Sequence, residues 1–589
     1  MKVFEISFEC GNKVGGIHTV ISSKAREMVR LFGKDYICIG FYNEKRAKEE
    51  VIPEKIPEEW KKAFEELEGE GIRCIYGKWL KGGKAKIILV DSKEFEKRKV
   101  NEIKTEHWIK YKIDSLFVGE DYNEPVAWSY AVGKLLEKIG SFPYIAHFHE
   151  WLSGSALLYL NERIPDLPSV FTTHATFFAR VIGANVEDVK RFKEEEIERK
   201  AKELGIIAKH QMEKVCAQKA KVVTTVSDIT KIEVEKILGR KVDIITYNAL
   251  DMSSMKNYED IIAESELLRE QLEKFLIAYF SPYYEIDVKD KPILFTCGRY
   301  EFWNKGFDLF IESLRELNER LKGKTEVFAF ILVPSDVGEG KEEVMESILL
   351  FERLEEILDE KLKNVKKEVL YKVGKGEEVR KENIVDEELV ANIEGIASKM
   401  KRRGLPPLCP FHLNYDERND LILENLKRCG LDNRKENAVK VIFYPRYLKI
   451  SDEILKLNYR EFLEVADIGV FMSRYEPFGY TPLEASVYIT CSITSDYGGF
   501  GNLIRRYGKE GNGVWVINAV NRKKEAIVEE IANVLENLCL LPREKLEELK
   551  INARKSVEIF DWKYMIKNYL DAYKLALERA GIKENKILI

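Results

Sequence analysis

Short apolar runs alternate with stretches of helical periodicity along two long regions of the chain. In the first, residues 3–8 read as a strand, followed by a glycine turn and an amphipathic helix to about residue 31. Further strands are predicted at 36–39, 86–90, 144–148, 169–172 and 221–225, with helices over 125–139 and 186–218 between them. The second region opens at Pro292 with a strand over 292–296, a loop and a helix over 308–321. Strands follow at 327–333, 439–444, 468–472, 491–494 and 514–517. Apolar strands separated by helices pack as parallel sheets covered on both faces, so the expected fold class is α/β with two such units. Residues 340–435 read as long charged helices, too much for one crossover, and are expected to be a helical insertion. The segment from Trp562 has apolar residues at helical spacing. The expected domains are 1–285, with the C-terminal helix of about 562–589 packing back on it, and 286–561 including the insertion.

A chain of 589 residues exceeds what one hydrophobic core serves, which agrees with two domains. Its 95 basic and 100 acidic side chains nearly balance, giving no reason to expect nucleic acid or a membrane surface as partner. No apolar stretch approaches the roughly 18 residues of a membrane span. Nine scattered cysteines without a CxxC pair argue against a disulfide framework or a zinc site and favour a reducing cytoplasm. Mixed charge runs such as residues 191–202 suit either the ion-pair surface of a heat-adapted protein or ordinary solvated helix faces.

Ligands of open α/β sheets bind beyond the carboxyl ends of the strands, and three motifs follow strands here. The first is Asn12-Lys13-Val14-Gly15-Gly16, opening the first helix. Gly15 and Gly16 let backbone approach an anion, and the helix N-terminus offers free N–H groups. The second is residues 297–306 (CGRYEFWNKG), where Arg299 brings a planar fork of donors and Lys305 a point charge, a pair suited to a diphosphate. The third is residues 475–484 (YEPFGYTPLE). Thr481 reads as an N-cap with Glu484 completing a capping box, whereas Glu476 has no structural task and is the better reactive candidate.

In family order, five segments resemble the eukaryotic-type glycogen synthases, retaining glycosyltransferases of the GT-B fold. They are residues 12–25 (NKVGGIHTVISSKA), 146–156 (AHFHEWLSGSA), 171–180 (FTTHATFFAR), 298–308 (GRYEFWNKGFD) and 473–484 (SRYEPFGYTPLE). Weaker likenesses lie at 72–80, 419–423 and 492–501. The resemblance implies two Rossmann-like domains facing a cleft. It implies transfer of glucose from UDP-glucose, or ADP-glucose, to the non-reducing 4-hydroxyl of an α-1,4-glucan, without a metal or other cofactor. It places Glu476 beside the transferred glucose, Arg299 and Lys305 on the diphosphate, and Glu484 on the ribose. His174 and Arg180 line the glucose and phosphate site. Tyr447 and Tyr459 fall where uracil is stacked, and Tyr480 and Thr481 share the donor segment. Lys13 stands where the family can show Arg, so a forked contact becomes a single one.

His147-Phe148-His149-Glu150 has alternating spacing that suggests a metal. The reading preferred here is one histidine packed inside and the other orienting at the strand end. Asp121, Glu124 and the carboxylates of the long helices read as solvated surface. The insertion, with apolar stripes as in residues 344–357, suggests a homo-oligomer, trimer or tetramer. Eukaryotic relatives carry an arginine-rich C-terminal helix that binds glucose 6-phosphate. Here the final helix has Arg579 with Lys563, Lys567 and Lys574, and no tail suited to phosphorylation precedes residue 3 or follows 589, so constitutive activity is expected. The rival readings are a glucosyltransferase with a small acceptor, as in trehalose or sucrose synthesis, and a non-catalytic glucan-binding protein.

Overall fold

The computed structural model describes residues 1–183, 186–380 and 387–582. Its frame is two sheets, one in each half of the chain. The first runs in the order Val51–Pro53, Arg73–Trp79, Ala85–Asp91, Tyr36–Phe41, Val3–Ile6, Ile145–His149, Ser169–Thr173, Val222–Thr225 and Ile244–Ile245. Arg73–Trp79 pairs antiparallel with both of its neighbours, and the other pairings are parallel. The second sheet is parallel throughout, in the order Val439–Tyr444, Val327–Leu332, Ile293–Cys297, Ile468–Phe471, Cys491–Ser495 and Val514–Ile517. All six residues of Val327–Leu332 are buried, as expected for a strand covered on both faces.

In each sheet the crossovers leave in opposite directions from one pair of neighbouring strands, Val3–Ile6 with Ile145–His149 and Ile293–Cys297 with Ile468–Phe471. At such a pair the loops open a crevice beyond the carboxyl ends of the strands. The motifs at residues 12–16, 149–150, 298–306 and 473–479 follow these four strands.

The expected helix over 186–218 is three helices, Val186–Arg191, Glu194–Glu203 and Ile207–Lys219, with a turn through Gly205 at φ +68° before the last. The insertion contains Glu342–Lys375 and Glu387–Met400, and a small antiparallel pair, Val337–Gly340 with Phe411–Leu413, closes its base. A helix over Tyr258–Phe280, not foreseen from the pattern, links the two halves. Arg269 on it reaches Asp467 at 3.0 Å. Asp467 also accepts from the backbone N–H of Ile293 at 2.8 Å and from Arg543 at 2.8 Å. Burial alone would raise the Asp467 pKa, but Arg269, Lys550 and Arg543 together hold the carboxyl well below the usual range.

The chain returns to the first half beside Leu250, which exchanges backbone hydrogen bonds with Phe560 and Trp562. The helix Trp562–Arg579 then lies against Gly16–Phe32 and buries Trp562, Tyr569 and Tyr573. Each such ring contributes roughly 1.5–3 kcal/mol relative to exposure. Among the described residues no helix is long and apolar enough to cross a membrane.

Candidate active site

On the second-domain side, the loop after Ile293–Cys297 turns through Gly306 at φ +68°, where a Cβ would lie 2.2 Å from the carbonyl oxygen of Met472. Only glycine allows that approach. The turn brings Lys305 over Gly298, and its Nζ donates to Glu476 Oε2 at 2.7 Å. The Glu476 loop is anchored on both flanks. Arg474 forms a forked pair with buried Asp308 at 2.7 and 2.8 Å, and the Glu476 carbonyl accepts from Gly499 N at 3.2 Å. Cys297, Lys305, Ser473, Glu476, Thr481 and Gly498 line one depression. Arg299 is 78 % exposed and pairs with Glu301 at 2.9 Å.

The expected capping box is absent. The helix Tyr480–Val487 starts one residue before Thr481, and its N-cap is Gly479 at φ +104°, a conformation glycine adopts without strain. Glu484 is therefore free of a capping role. Burial pushes its carboxyl up to about 7 against the smaller opposing pull of Arg460 and Lys13. Lys13, from the first-domain turn, thus acts on an acid of the second. Tyr459 approaches Cys297 Sγ at 3.4 Å through its hydroxyl and senses the Glu484 charge. Tyr480 packs on Phe478 and donates to Ala249 O at 3.4 Å. Tyr447 lies apart, 73 % exposed, in a separate depression with Pro334, Arg446 and Asp452.

On the first-domain side, the N-terminus of Gly16–Phe32 already faces an anion of its own. Glu9 Oε2 accepts from the N–H groups of Gly15 at 2.7 Å and His18 at 3.0 Å. Gly16 stays open, since a Cβ there would meet nothing within 4 Å.

His147 is buried among internal partners, and His149, the last residue of its strand, reaches His174 at 2.9 Å. Successive strand residues alternate faces, so both lie on one face, buried and stacked at 4.2 Å. Glu5, His147 and His149 bring three potential ligand atoms within 4.8 Å of one another. They are poorly suited to a cation, because Lys24 bonds the same Glu5. His147 also spends Nδ1 on the Tyr573 hydroxyl at 3.0 Å and Nε2 on that of Thr172 at 2.6 Å.

The loop from Thr173 to Phe177 carries His174 and is held by three buried glutamates that the sequence reading passed over. Glu150 accepts from His174 N at 2.7 Å. Glu213 accepts from Phe177 N at 2.9 Å and the Thr173 hydroxyl at 3.0 Å. Glu233 accepts from Thr176 N at 3.2 Å, its hydroxyl at 3.1 Å and, across the cleft, the Tyr475 hydroxyl at 3.3 Å. Burial raises all three carboxyls, Glu213 to about 8 and Glu233 to about 7. Glu150 sits at φ +62°, a left-handed conformation that costs a non-glycine residue of order 1 kcal/mol or more. Arg180 is 4.0 Å from Glu150 and feels Glu213 and Glu9 as well. Glu213 lies in the stretch taken for a solvated helix, but its side chain points into the core.

The geometry therefore brings Lys305, Glu476 and Thr481 together, gathers Tyr459, Glu484 and Lys13 at a second point, and sets His174 and Arg180 opposite through Tyr475. A glycogen synthase family model matches residues 5–586. The chain belongs to the glycogen synthase family. It is 33% identical to a glycogen [starch] synthase of Neurospora crassa over 98% of this chain and 84% of that one. It is 31% identical to isoform 1 of Saccharomyces cerevisiae over 100% and 87%, and 28% identical to the human liver protein over 98% and 84%. Among solved structures, the catalytic domain of starch synthase IV from Arabidopsis thaliana, bound to ADP and acarbose, is similar with a TM-score of 0.52. It is 14% identical, over 98% of this chain and 99% of that one. The fold is GT-B, two Rossmann-like halves about a cleft.

Proposed function

We propose that this protein is a glycogen synthase that transfers glucose from UDP-glucose or ADP-glucose to the non-reducing 4-hydroxyl of an α-1,4-glucan, with retention of configuration. The observation that supports this most is the Lys305–Glu476 pair at the crevice of the second sheet, facing His174 and Arg180 of the other half. Lys305 and Arg299 stabilise the charge that grows on the departing diphosphate; a donor aimed at such developing charge contributes roughly 3–4 kcal/mol. The leaving phosphate takes the proton of the incoming hydroxyl on the same face, and Glu476 supports the cation-like sugar. Glu484 and Tyr459 receive the nucleoside. The two halves close on the substrates and exclude water, the competing acceptor. Incubation with each nucleotide-glucose and either glycogen or a small sugar acceptor tests this. Glucan extension is expected, and transfer to the small acceptor alone would assign the chain elsewhere. Activity is expected to survive a chelator.

The enzyme is expected to act in the cytoplasm as a homo-oligomer, a trimer or tetramer joined partly through the insertion. Its helix Glu342–Lys375 exposes Leu349, Leu362, Leu370 and Tyr371, large apolar side chains that a partner surface would cover. A monomeric mass by light scattering would remove the assembly.

A further inference from the structure

Four buried polar side chains run in a line from the first helix to the cleft. Lys24, on the helix Gly16–Phe32, bonds Glu5 on the first strand. The same Glu5 oxygen is 2.8 Å from Nε2 of His149, and Nδ1 of His149 is 2.9 Å from Nε2 of His174. Tyr36 donates to the other Glu5 oxygen. Lys24 and Glu5 are 0 % exposed and His149 1 %, whereas His174, at 6 %, ends the line.

The proton positions follow from charge and geometry. Burial disfavours the Glu5 anion, but the Lys24 ammonium and the hydrogen bond from His149 hold its carboxyl well below the usual range, so it is ionised. An ionised carboxylate only accepts, so the proton facing it belongs to His149 Nε2. Lys24 already neutralises Glu5, and a second buried cation would have no counter-charge. Burial accordingly pushes the pKa values of His149 and His174 down, and both rings are neutral. A neutral His149 with its proton on Nε2 has a bare Nδ1, so the 2.9 Å contact needs His174 as donor. The remaining nitrogen of His174, Nδ1, then carries a lone pair, and it has no protein partner among the described residues.

We propose that Lys24, Glu5 and His149 are positioning residues that lock His174 in its Nε2–H tautomer, so that Nδ1 accepts a hydrogen bond from a hydroxyl of the bound sugar. The sugar as ligand rests on the proposed glucosyl transfer; the tautomer does not. The opposite proton order, from a charged His149, would turn the same atom into a donor and favour a different sugar orientation.

Full-length protein labelled with ¹⁵N-histidine, its seven histidines assigned by single substitutions, reads the tautomer directly. The expected spectrum has His174 protonated at Nε2 and bare at Nδ1; a proton on Nδ1 would overturn the proposal. His149→Phe keeps the ring volume and leaves Glu5 with Lys24 and Tyr36. It should release His174 to a tautomer mixture and lower kcat/KM for the nucleotide-sugar roughly tenfold. His149→Gln retains a donor toward Glu5 and an acceptor toward His174, and should recover most of the loss. An unchanged His174 spectrum and unchanged kcat/KM in His149→Phe would also overturn the proposal. Should His149→Phe not fold, the wild-type spectrum and the Gln variant still decide. If no donor is turned over, the function fails while the spectrum still judges the tautomer.

Discussion

On the first-domain side of the cleft the loop from Thr173 to Phe177 is tied by Glu150, Glu213 and Glu233, and His174 is bonded to His149. On the second-domain side Arg299 stands largely in solvent beside Glu301, and Lys305 rests on Glu476. One wall is preorganised by buried hydrogen bonds that no substrate needs to complete. The other carries cations paired with carboxylates, whose natural partner, a diphosphate, is more highly charged than the groups they now face. The first wall fixes the shape of a sugar pocket; the second answers charge that develops during reaction. Substitutions on the two walls should therefore be felt in different measurements.

Lys305→Ala and Glu476→Gln sharpen the contrast most. Each is expected to lower kcat about 10²- to 10³-fold while the thermal unfolding midpoint hardly moves, because each group acts on the transition state. Near wild-type turnover in either variant would remove that residue from the mechanism. The glutamate clamps of the first wall should be felt first in stability. Glu233→Ala leaves the Thr176 N–H, the Thr176 hydroxyl and the Tyr475 hydroxyl without their acceptor. Denaturant unfolding should show a loss of about 1–3 kcal/mol, and an unchanged midpoint would mean that the loop does not depend on this clamp.

Glu484 gives a pH test. Its carboxyl, pushed up to about 7 by burial, is half protonated near neutrality. Hydroxyls of a ribose donate to the ionised form, so donor binding favours loss of the proton. Below pH 7 the apparent donor affinity should fall by up to about tenfold per unit, and above pH 8 it should level off. Glu484→Gln should flatten this profile, and a slope that persists in that variant would place the titration elsewhere. The smallest effect concerns glucose 6-phosphate, which should leave the rate unchanged at sub-saturating donor. Arg579, the arginine of the final helix, is held by Asp243 at 2.8 Å and by the carbonyl of Lys221 at 2.6 Å, so it cannot join a phosphate site without breaking that pair. A several-fold activation would contradict this.

Much of the second wall was legible in the sequence because its chemistry lies on loops that follow apolar strands. Val439–Tyr444 and Val514–Ile517 fall where the pattern puts them, and Arg299, Lys305 and Glu476 are cations and an acid with no helix-face excuse. The first wall was not legible. Glu213 and Glu233 sit in charged helices, and nothing local distinguishes a solvated glutamate from one turned inward by tertiary packing. Glu150 was passed over with the histidines as a metal spacing. Arg73–Trp79 was missed as a strand because Arg73, Gly77 and Lys78 interrupt its apolar run. Its antiparallel place near the sheet edge leaves Arg73 exposed, while Gly77 is buried where a Cβ would lie 2.3 Å from the Ile52 carbonyl oxygen. The capping reading of Thr481 and Glu484 failed because Gly479, able to take φ +104°, starts the helix a residue earlier.

The most direct test of glucan synthesis is the linkage and position of transferred glucose. Glycogen incubated with the protein and radiolabelled UDP-glucose or ADP-glucose, then digested with an exo-acting enzyme that removes maltose from non-reducing α-1,4 ends, should release the label at once as maltose. Label that stays on the digestion-resistant core, or no incorporation from either donor, would contradict the account.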